Sequence, residues 1–142
     1  MDVQIAWDVI SQFSEDWAEH PYKWYSEANI QAEVYSRLVT VLNLTGRNTI
    51  EVPEKQTEHG LYSKVYLEEY IELKDGSKKR PDIVLYDNYA EDSWPISLAF
   101  EFKYNNPNVA SDIRKLQLLI KKNHIKYGCI LDFKHGGPKD EL

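Results

Sequence analysis

The sequence predicts a mixed α/β (α+β) domain with the element order helix, helix, strand, strand, strand, helix, strand. Apolar residues recur at three- and four-residue steps near the N-terminus and around residues 109–124, which is the spacing of one helix face. Residues 80–87 and 96–104 are instead short runs rich in β-branched and aromatic residues, bounded by turn residues, as in strands. With 142 residues and 42% hydrophobic content, the whole chain, 1–142, is expected to fold as one domain around its own core.

Two amphipathic helices are predicted to open the chain. The first spans residues 2–19 with Asp2 as its N-cap, and the second spans residues 26–44 with Ser26 as its N-cap. Both helices are expected to pack on the core through one apolar face. The predicted inward face of the first helix carries Val3, Trp7, Ile10, Phe13 and Trp17.

Glu33 is the charged residue of interest on the second helix. At 100° per residue it lies about 60° to 100° from the middle of the apolar stripe, at its edge. A carboxylate at that edge can face a cleft between core and solvent. The alternative is an i,i+4 ion pair with Arg37, which contributes only a few tenths of a kcal/mol.

The middle of the chain is predicted to be a loop followed by a hairpin. Residues 45–63 are polar, with room for a short strand at 49–52. Residues 64–74 alternate apolar and polar side chains, which predicts one strand with a bulge at Glu68-Glu69. Asp75-Gly76 is a strong hairpin signal that leads into the next strand.

The strands at 80–87 and 96–104 carry charge where a buried strand should have none. Side chains alternate faces along a strand, so Glu101 and Lys103 share one face and the flanking phenylalanines take the other. If the two strands pair, Asp82 comes close to Glu101, with the lysine beside them. Buried charges are costly unless they are paired or bind a metal, so these three residues indicate a site.

The last two elements are a helix at 109–124 and a strand at 127–133. Their order predicts a right-handed crossover that makes the last strand parallel to the 96–104 strand. The last strand is an almost continuous apolar run, which is typical of a strand covered on both faces.

Basic residues cluster at two places. Lys78, Lys79 and Arg80 follow the predicted hairpin, and Arg114 and Lys115 lie near the start of the third helix. Either cluster could contact a nucleic-acid backbone. The hairpin cluster could equally be solvated edge charges that block aggregation, whereas most of the charges on the third helix are interpreted as a solvated face.

Charge and cysteine content limit the classes of function. A net charge of −6 weighs against a protein that grips nucleic acid by bulk electrostatics, although it allows local binding assisted by metal ions. The single cysteine, Cys129, excludes an internal disulfide and fits a reducing compartment. No run approaches the roughly 20 apolar residues of a membrane span, and no basic segment follows Met1. A cytoplasmic protein without membrane contact is expected.

In this arrangement the sequence resembles the PD-(D/E)XK nuclease superfamily. Pro81-Asp82 matches the Pro-Asp motif of the family, and Glu101-Phe102-Lys103 matches its Glu-x-Lys motif inside an apolar strand. Glu33 matches the carboxylate that many members carry on the first core helix. The resemblance covers residues 26–133 and implies an αβββαβ, restriction-endonuclease-like core with a mixed sheet flanked by helices. Residues 1–25 would be an additional N-terminal helical extension.

The resemblance also implies a chemistry. Asp82, Glu101 and the backbone carbonyl of Phe102 would bind Mg²⁺, with Mn²⁺ as a substitute, because hard cations take oxygen ligands. Lys103 would orient or deprotonate the attacking water, or neutralise charge on the phosphate. Glu33 would hold a second metal ion or a metal-bound water.

Three functions follow from these observations. The first is a metal-dependent nuclease that hydrolyses phosphodiester bonds in DNA, with RNA as the other substrate, acting as a homodimer or with a partner protein that targets it. The second is a catalytically silent module of the same fold that binds protein or nucleic acid. The third is an ordinary α/β domain in which Glu101 and Lys103 form an exposed ion pair and Asp82 lies far from Glu101.

Overall fold

The computed structural model describes residues 2–51, 61–88, 95–106 and 108–134. It confirms a mixed α+β domain, and none of the helices in these ranges is long and apolar enough to cross a membrane. The helices are α1 (Asp2–Glu19), α2 (Glu27–Leu44) and α3 (Val109–Lys121). The strands are β1 (Thr49–Glu51), β2 (Leu61–Ser63), β3 (Val65–Leu67), β4 (Ile71–Glu72), β5 (Lys78–Lys79), β6 (Ile83–Tyr86), β7 (Ile96–Tyr104) and β8 (Ile125–Phe133).

The main sheet has four strands in the order β3-β6-β7-β8. The pairs β3–β6 and β6–β7 are antiparallel, whereas β7 and β8 are parallel and are joined through α3. The predicted pairing of the two charged strands and the predicted parallel crossover are therefore both confirmed. Two smaller antiparallel pairs, β1–β2 and β4–β5, lie outside this sheet.

The prediction of a single strand over residues 64–74 is wrong. Glu68 has a φ of 51°, in the left-handed region, so the chain turns there instead of forming a bulge. The part before the turn, β3, joins the main sheet, and the part after it, β4, pairs with β5 in a separate hairpin. The predicted hairpin turn is confirmed, because Gly76 takes a φ of 87° that favours glycine.

The prediction that the last strand is covered on both faces is also wrong. Within the described residues β8 pairs only with β7, and the middle of the strand is half-buried or exposed. Only Ile125 and Phe133, at its two ends, are buried. Burial on both faces is found instead in β7, where each residue from Ile96 to Phe102 is buried, and in its neighbour β6, where Ile83 to Leu85 are fully buried.

Helices cover both faces of the sheet. On one face α1 and α2 pack against the odd-numbered side of β6 and the phenylalanine side of β7, and Phe13 and Phe100 are fully buried there. On the other face Leu116 and Leu119 of α3 pack against Val84 and Ala99. Helix α1, predicted as an extension, supplies four buried residues to the first of these cores. Trp7, expected on its inward face, is 57% exposed.

Candidate metal and catalytic site

Asp82 and Glu101 meet where the regular β6–β7 ladder ends. The last ladder pair is Ile83 with Phe100. One residue earlier, Asp82 N–H donates to the carbonyl oxygen of Phe100 (3.0 Å), and the Asp82 carboxylate accepts the next N–H of β7, that of Phe102, at 2.8 Å. Glu101 lies between these two phenylalanines, and its carboxyl group is close enough to that of Asp82 for the two to affect each other's pKa. The prediction that the two strands bring these carboxylates together is confirmed.

Asp82 is held firmly in this position. Its backbone carbonyl accepts from Glu68 N–H at 2.9 Å and from Gln31 Nε2 at 3.2 Å. Burial raises the pKa of its carboxyl group, and the hydrogen bond from Phe102 N–H opposes that rise only in part. Burial beside Glu101 therefore disfavours the charged form of the Asp82 carboxyl group.

Glu101 is only 4% exposed. Burial raises the pKa of its carboxyl group to about 7, the Lys115 ammonium at 2.5 Å opposes this rise, and the nearby Asp82 carboxylate adds to it. Two adjacent buried carboxylates cannot both ionise cheaply, so the pair favours a shared proton or a bound cation. The exposed Glu101–Lys103 ion pair considered above is not the arrangement observed, because Glu101 is buried and pairs with Lys115.

Lys103 and Glu101 share the α3 face of β7, as the strand alternation predicted. Lys103 Nζ lies 2.9 Å from Asp112 Oδ2, and Lys115 Nζ lies 3.9 Å from Asp112 Oδ1. The hydrogen bond to Asp112 raises the pKa of the Lys103 ammonium. Asp112, itself buried, thus connects Lys103 to the Lys115–Glu101 pair.

Two carboxylate oxygens of this network lack a hydrogen-bond donor with good geometry. Glu101 Oε1 and Asp112 Oδ2 are buried without a hydrogen bond of good geometry, although an ammonium group lies within ion-pairing distance of each. Buried acceptors left in this state cost free energy. A metal ion bound at Glu101 Oε1 would displace the Lys115 ammonium, which lies 2.5 Å from that oxygen.

Glu33 does not join the carboxylate pair. Its carboxylate accepts from Arg37 Nε at 2.9 Å and from Trp24 Nε1 at 3.4 Å, and Arg37 in turn binds Asp16 of α1 at 2.7 Å. On a helix Glu33 is about 160° from Gln31, the α2 residue that contacts Asp82. The i,i+4 ion pair with Arg37, weighed as the alternative, is the arrangement observed.

The α2 residues that approach the site are Glu27 and Gln31. Glu27 adds to the electrostatic field at both Asp82 and Lys103, and its Oε1 lies 3.4 Å from Tyr104 N–H. Sequence reasoning missed both residues and Asp112. The available signals were the i,i+4 spacing of polar residues on the flank of α2 and the i,i+3 spacing of Asp112 and Lys115 in the first turns of α3.

The side chains predicted to contact nucleic acid differ in their exposure. Lys78 of β5 and Arg80, which follows it, are both exposed and lie over the Tyr70 ring at 5.9 Å and 5.3 Å. Arg114 is exposed on α3, and Lys79 is half-exposed. Lys115 is engaged by Glu101, so it can reach a phosphate only if that ion pair opens.

The donor set fits a sparse site for a hard cation. Mg²⁺ commonly binds through one or two carboxylates and keeps several waters, and Asp82, Glu101 and the carbonyl of Phe102 offer oxygen ligands of that kind. In the described ranges no group of three or more His, Cys, Asp or Glu side chains is arranged to hold a metal ion. Lys115 would compete with a cation for Glu101.

Comparisons of the chain with protein-family models, with characterised proteins and with solved structures found no match.

Proposed function

We propose that this chain is a metal-dependent nuclease that hydrolyses phosphodiester bonds in DNA. The observation that supports this most is the buried Asp82–Glu101 pair, with two lysines on the same face of the sheet. Adjacent carboxylates within a packed sheet are expensive to bury, and a divalent cation would remove that cost.

The element order supports a PD-(D/E)XK core within the proposal. From α2 onwards the main sheet follows the order helix, three antiparallel strands, crossover helix, parallel strand, with the β4–β5 hairpin inserted between its first two strands. Asp82 and Glu101 then stand at the positions of the two family motifs. In this arrangement α1 is an added helix that shares the core.

Each residue would have a distinct task. Asp82, Glu101 and the carbonyl of Phe102 would hold Mg²⁺, or Mn²⁺ in its place, and the bound cation would supply Lewis-acid activation of water and charge neutralisation. Asp112 keeps Lys103 in its charged form, because it raises the pKa of that ammonium. A charged lysine favours neutralising the phosphate over deprotonating water. Lys115 would release Glu101 and pair instead with Asp112 or with a phosphate oxygen.

The test is cleavage of plasmid, branched and single-stranded DNA, and of RNA, with Mg²⁺ or Mn²⁺ and with a chelator. Asp82→Asn, Glu101→Gln and Lys103→Met are each expected to lower the rate at least about 100-fold. Glu33→Gln is the matched control, because its carboxylate lies in the α1–α2 ion pair, and it should keep most of the activity. Cleavage that survives Glu101→Gln would contradict the proposed site.

A second function is favoured by one observation. Lys115 already neutralises Glu101, and Asp112 already engages Lys103, so the cluster is charge-balanced without a metal ion. The chain could then be a silent module of the same fold that binds protein or nucleic acid. Calorimetric titration with Mn²⁺ separates the two functions. Heat of binding that disappears in Asp82→Asn supports the nuclease, and no binding together with no cleavage supports the module.

A further inference from the structure

Strand β8 is a long sheet edge. It has nine residues, and within the described part of the chain it pairs only with β7. Asn105 N–H donates to the Phe133 carbonyl at 2.9 Å, so the odd-numbered residues of β8 direct their backbone groups towards β7. The backbone N–H and C=O groups of Lys126, Gly128, Ile130 and Asp132 therefore point away from the sheet.

This edge lacks the protection that natural sheets usually place there. Edge strands are commonly kept short, or carry proline or central charges that prevent pairing with another chain. The centre of β8, Tyr127–Leu131, contains neither a charge nor a proline. Its two charged residues, Lys126 and Asp132, lie near opposite ends of the strand.

We propose that β8 pairs antiparallel with β8 of a second copy of this chain, about a two-fold axis at Cys129. In this register Lys126 lies opposite the partner's Asp132, and the symmetry repeats that pair at the other end of the strand. Tyr127 lies opposite the partner's Leu131. The strand is thus complementary in charge to itself.

Backbone geometry and charge together select this register. Hydrogen-bonded pairs of an antiparallel ladder must join residues whose N–H and C=O groups both point outward, and here Lys126 would pair with the partner's Asp132 and Gly128 with the partner's Ile130. A shift by two residues, the smallest that keeps this pattern, separates Lys126 from Asp132 in either direction. In one direction Lys126 lies opposite Ile130, and in the other it lies opposite Lys134, a like charge. Centring the two-fold axis on Cys129 also pairs all nine residues of β8.

An exposed apolar flank of α3 adjoins the same edge. Ile113 and Ile120 are 42% and 40% exposed, and on the helix they lie about 140° to 160° from Lys115. Lys115 reaches inward to Glu101 of β7, so the isoleucines face the side of β8. Leu116 contacts Gly128 between these two flanks. Pairing of the two β8 strands would bring the two isoleucine flanks together.

The first experiment measures the mass in solution by sedimentation equilibrium across the micromolar range. A dimer is expected for the natural chain. Lys126→Asp places like charges across both symmetric pairs and should weaken the dimer about tenfold or more. Combining Lys126→Asp with Asp132→Lys restores opposite charges and should return the dissociation constant to near its original value.

The second experiment tests the backbone and the two-fold axis. Ile130→Pro removes a backbone N–H that points outward and makes no hydrogen bond to β7. It should therefore abolish the dimer while the chain stays folded, which circular dichroism checks. Ile130→Val is the control. Cysteines in a non-hydrogen-bonded antiparallel pair are about 4.5 Å apart at Cα, close enough for a disulfide. Diamide, which accepts the two electrons and two protons, should therefore link the Cys129 thiols of a dimer.

Either of two results would overturn the proposal. One is a chain that stays monomeric across the whole concentration range. The other is a dimer that neither the charge reversal nor Ile130→Pro weakens, because such a dimer would form through another surface. The same conclusion would follow if the chain bound a different protein without using β8. The proposal stands independently of the nuclease activity.

Discussion

At the scale of single residues, Glu101 shows how burial and neighbours combine. It sits inside a central strand, beside a second carboxylate, with one ammonium group at 2.5 Å. Desolvation has the larger effect on its pKa, and the result, about 7, lies well above the usual value of a glutamate. The folded protein therefore binds a proton at Glu101 more tightly than the unfolded chain does.

This difference predicts how stability depends on pH in metal-free buffer with a chelator. A carboxyl group whose pKa is raised on folding lowers stability as pH rises between its unfolded and folded pKa values, here from 4.5 to about 7. The loss from Glu101 should approach about 3 kcal/mol. Urea unfolding at about pH 5 and about pH 8 measures it.

Asp82 also lowers the free energy of unfolding as pH rises, because its pKa is raised in the folded protein too. Asp2 and Asp16 have lowered pKa values, so their effects fall below about pH 4 and outside this window. Glu101→Gln should flatten the decline, whereas Glu33→Gln should leave it unchanged. An unfolding free energy that rises between these two pH values would contradict the raised pKa.

Asp112 is expected to be coupled to Lys103 energetically. Both side chains are largely buried and 2.9 Å apart, so removing either partner leaves a charge poorly compensated. A double-mutant cycle with Asp112→Asn and Lys103→Met should give a coupling of about 1–3 kcal/mol in urea unfolding. The same cycle on Glu33 and Arg37, a more exposed i,i+4 pair, should give about 0.5 kcal/mol. Equal couplings would show that burial does not strengthen the first pair.

At the scale of elements, helix α2 makes contacts through two faces in addition to its buried apolar stripe. Glu27 and Gln31 lie beside Asp82 and Lys103, while Glu33 binds Arg37 and joins α2 to α1. Position along the helix, and not residue type, decides which carboxylate approaches the site. The start of α2 is therefore important for the site as well as for the fold.

Capping at the start of α2 is expected to contribute measurable stability. Ser26 Oγ accepts from Asn29 N–H at 3.1 Å, whereas Asn108, the corresponding residue of α3, makes no side-chain capping hydrogen bond. Ser26→Ala should therefore cost about 1 kcal/mol in the free energy of unfolding. Asn108→Ala should change it by less than about 0.5 kcal/mol. Similar losses in the two variants would argue against the Ser26 cap.

At the scale of the whole molecule, the core on one face of the sheet is shared by α1, α2 and the main sheet. Phe13 of α1 packs edge-on against Trp24 at 5.0 Å and against Phe133 of β8 at 5.6 Å. Helix α1 thereby links the start of the described chain to its last strand. It is a structural part of this domain.

Truncation of α1 side chains should show this directly. Phe13→Ala removes a fully buried ring and should cost about 3–5 kcal/mol in the free energy of unfolding. Trp7→Ala, on the exposed side of the same helix, should change it by less than about 0.5 kcal/mol. Chemical denaturation monitored by circular dichroism compares the two. A small effect of Phe13→Ala would mean that α1 packs only loosely.

Local patterns in the sequence predicted much of the fold, because they act over a few residues. Helical spacing located the three helices, and the bounds predicted for the 96–104 strand agree with β7. Asp75-Gly76 predicted its turn because glycine takes a left-handed φ easily. The break at Glu68 escaped prediction, because a glutamate in that conformation depends on its tertiary surroundings.

By itself the sequence determined that Asp82, Glu101 and Lys103 are charged residues on strands of buried character, because strand alternation is a local property. Only the tertiary structure decided their partners. It brought Lys115 and Asp112 to them across the α3 packing, and it turned Glu33 towards α1. It also left β8 at the edge of the sheet in the described chain. Contacts between distant segments depend on how helices and strands pack, which spacing along one segment does not encode.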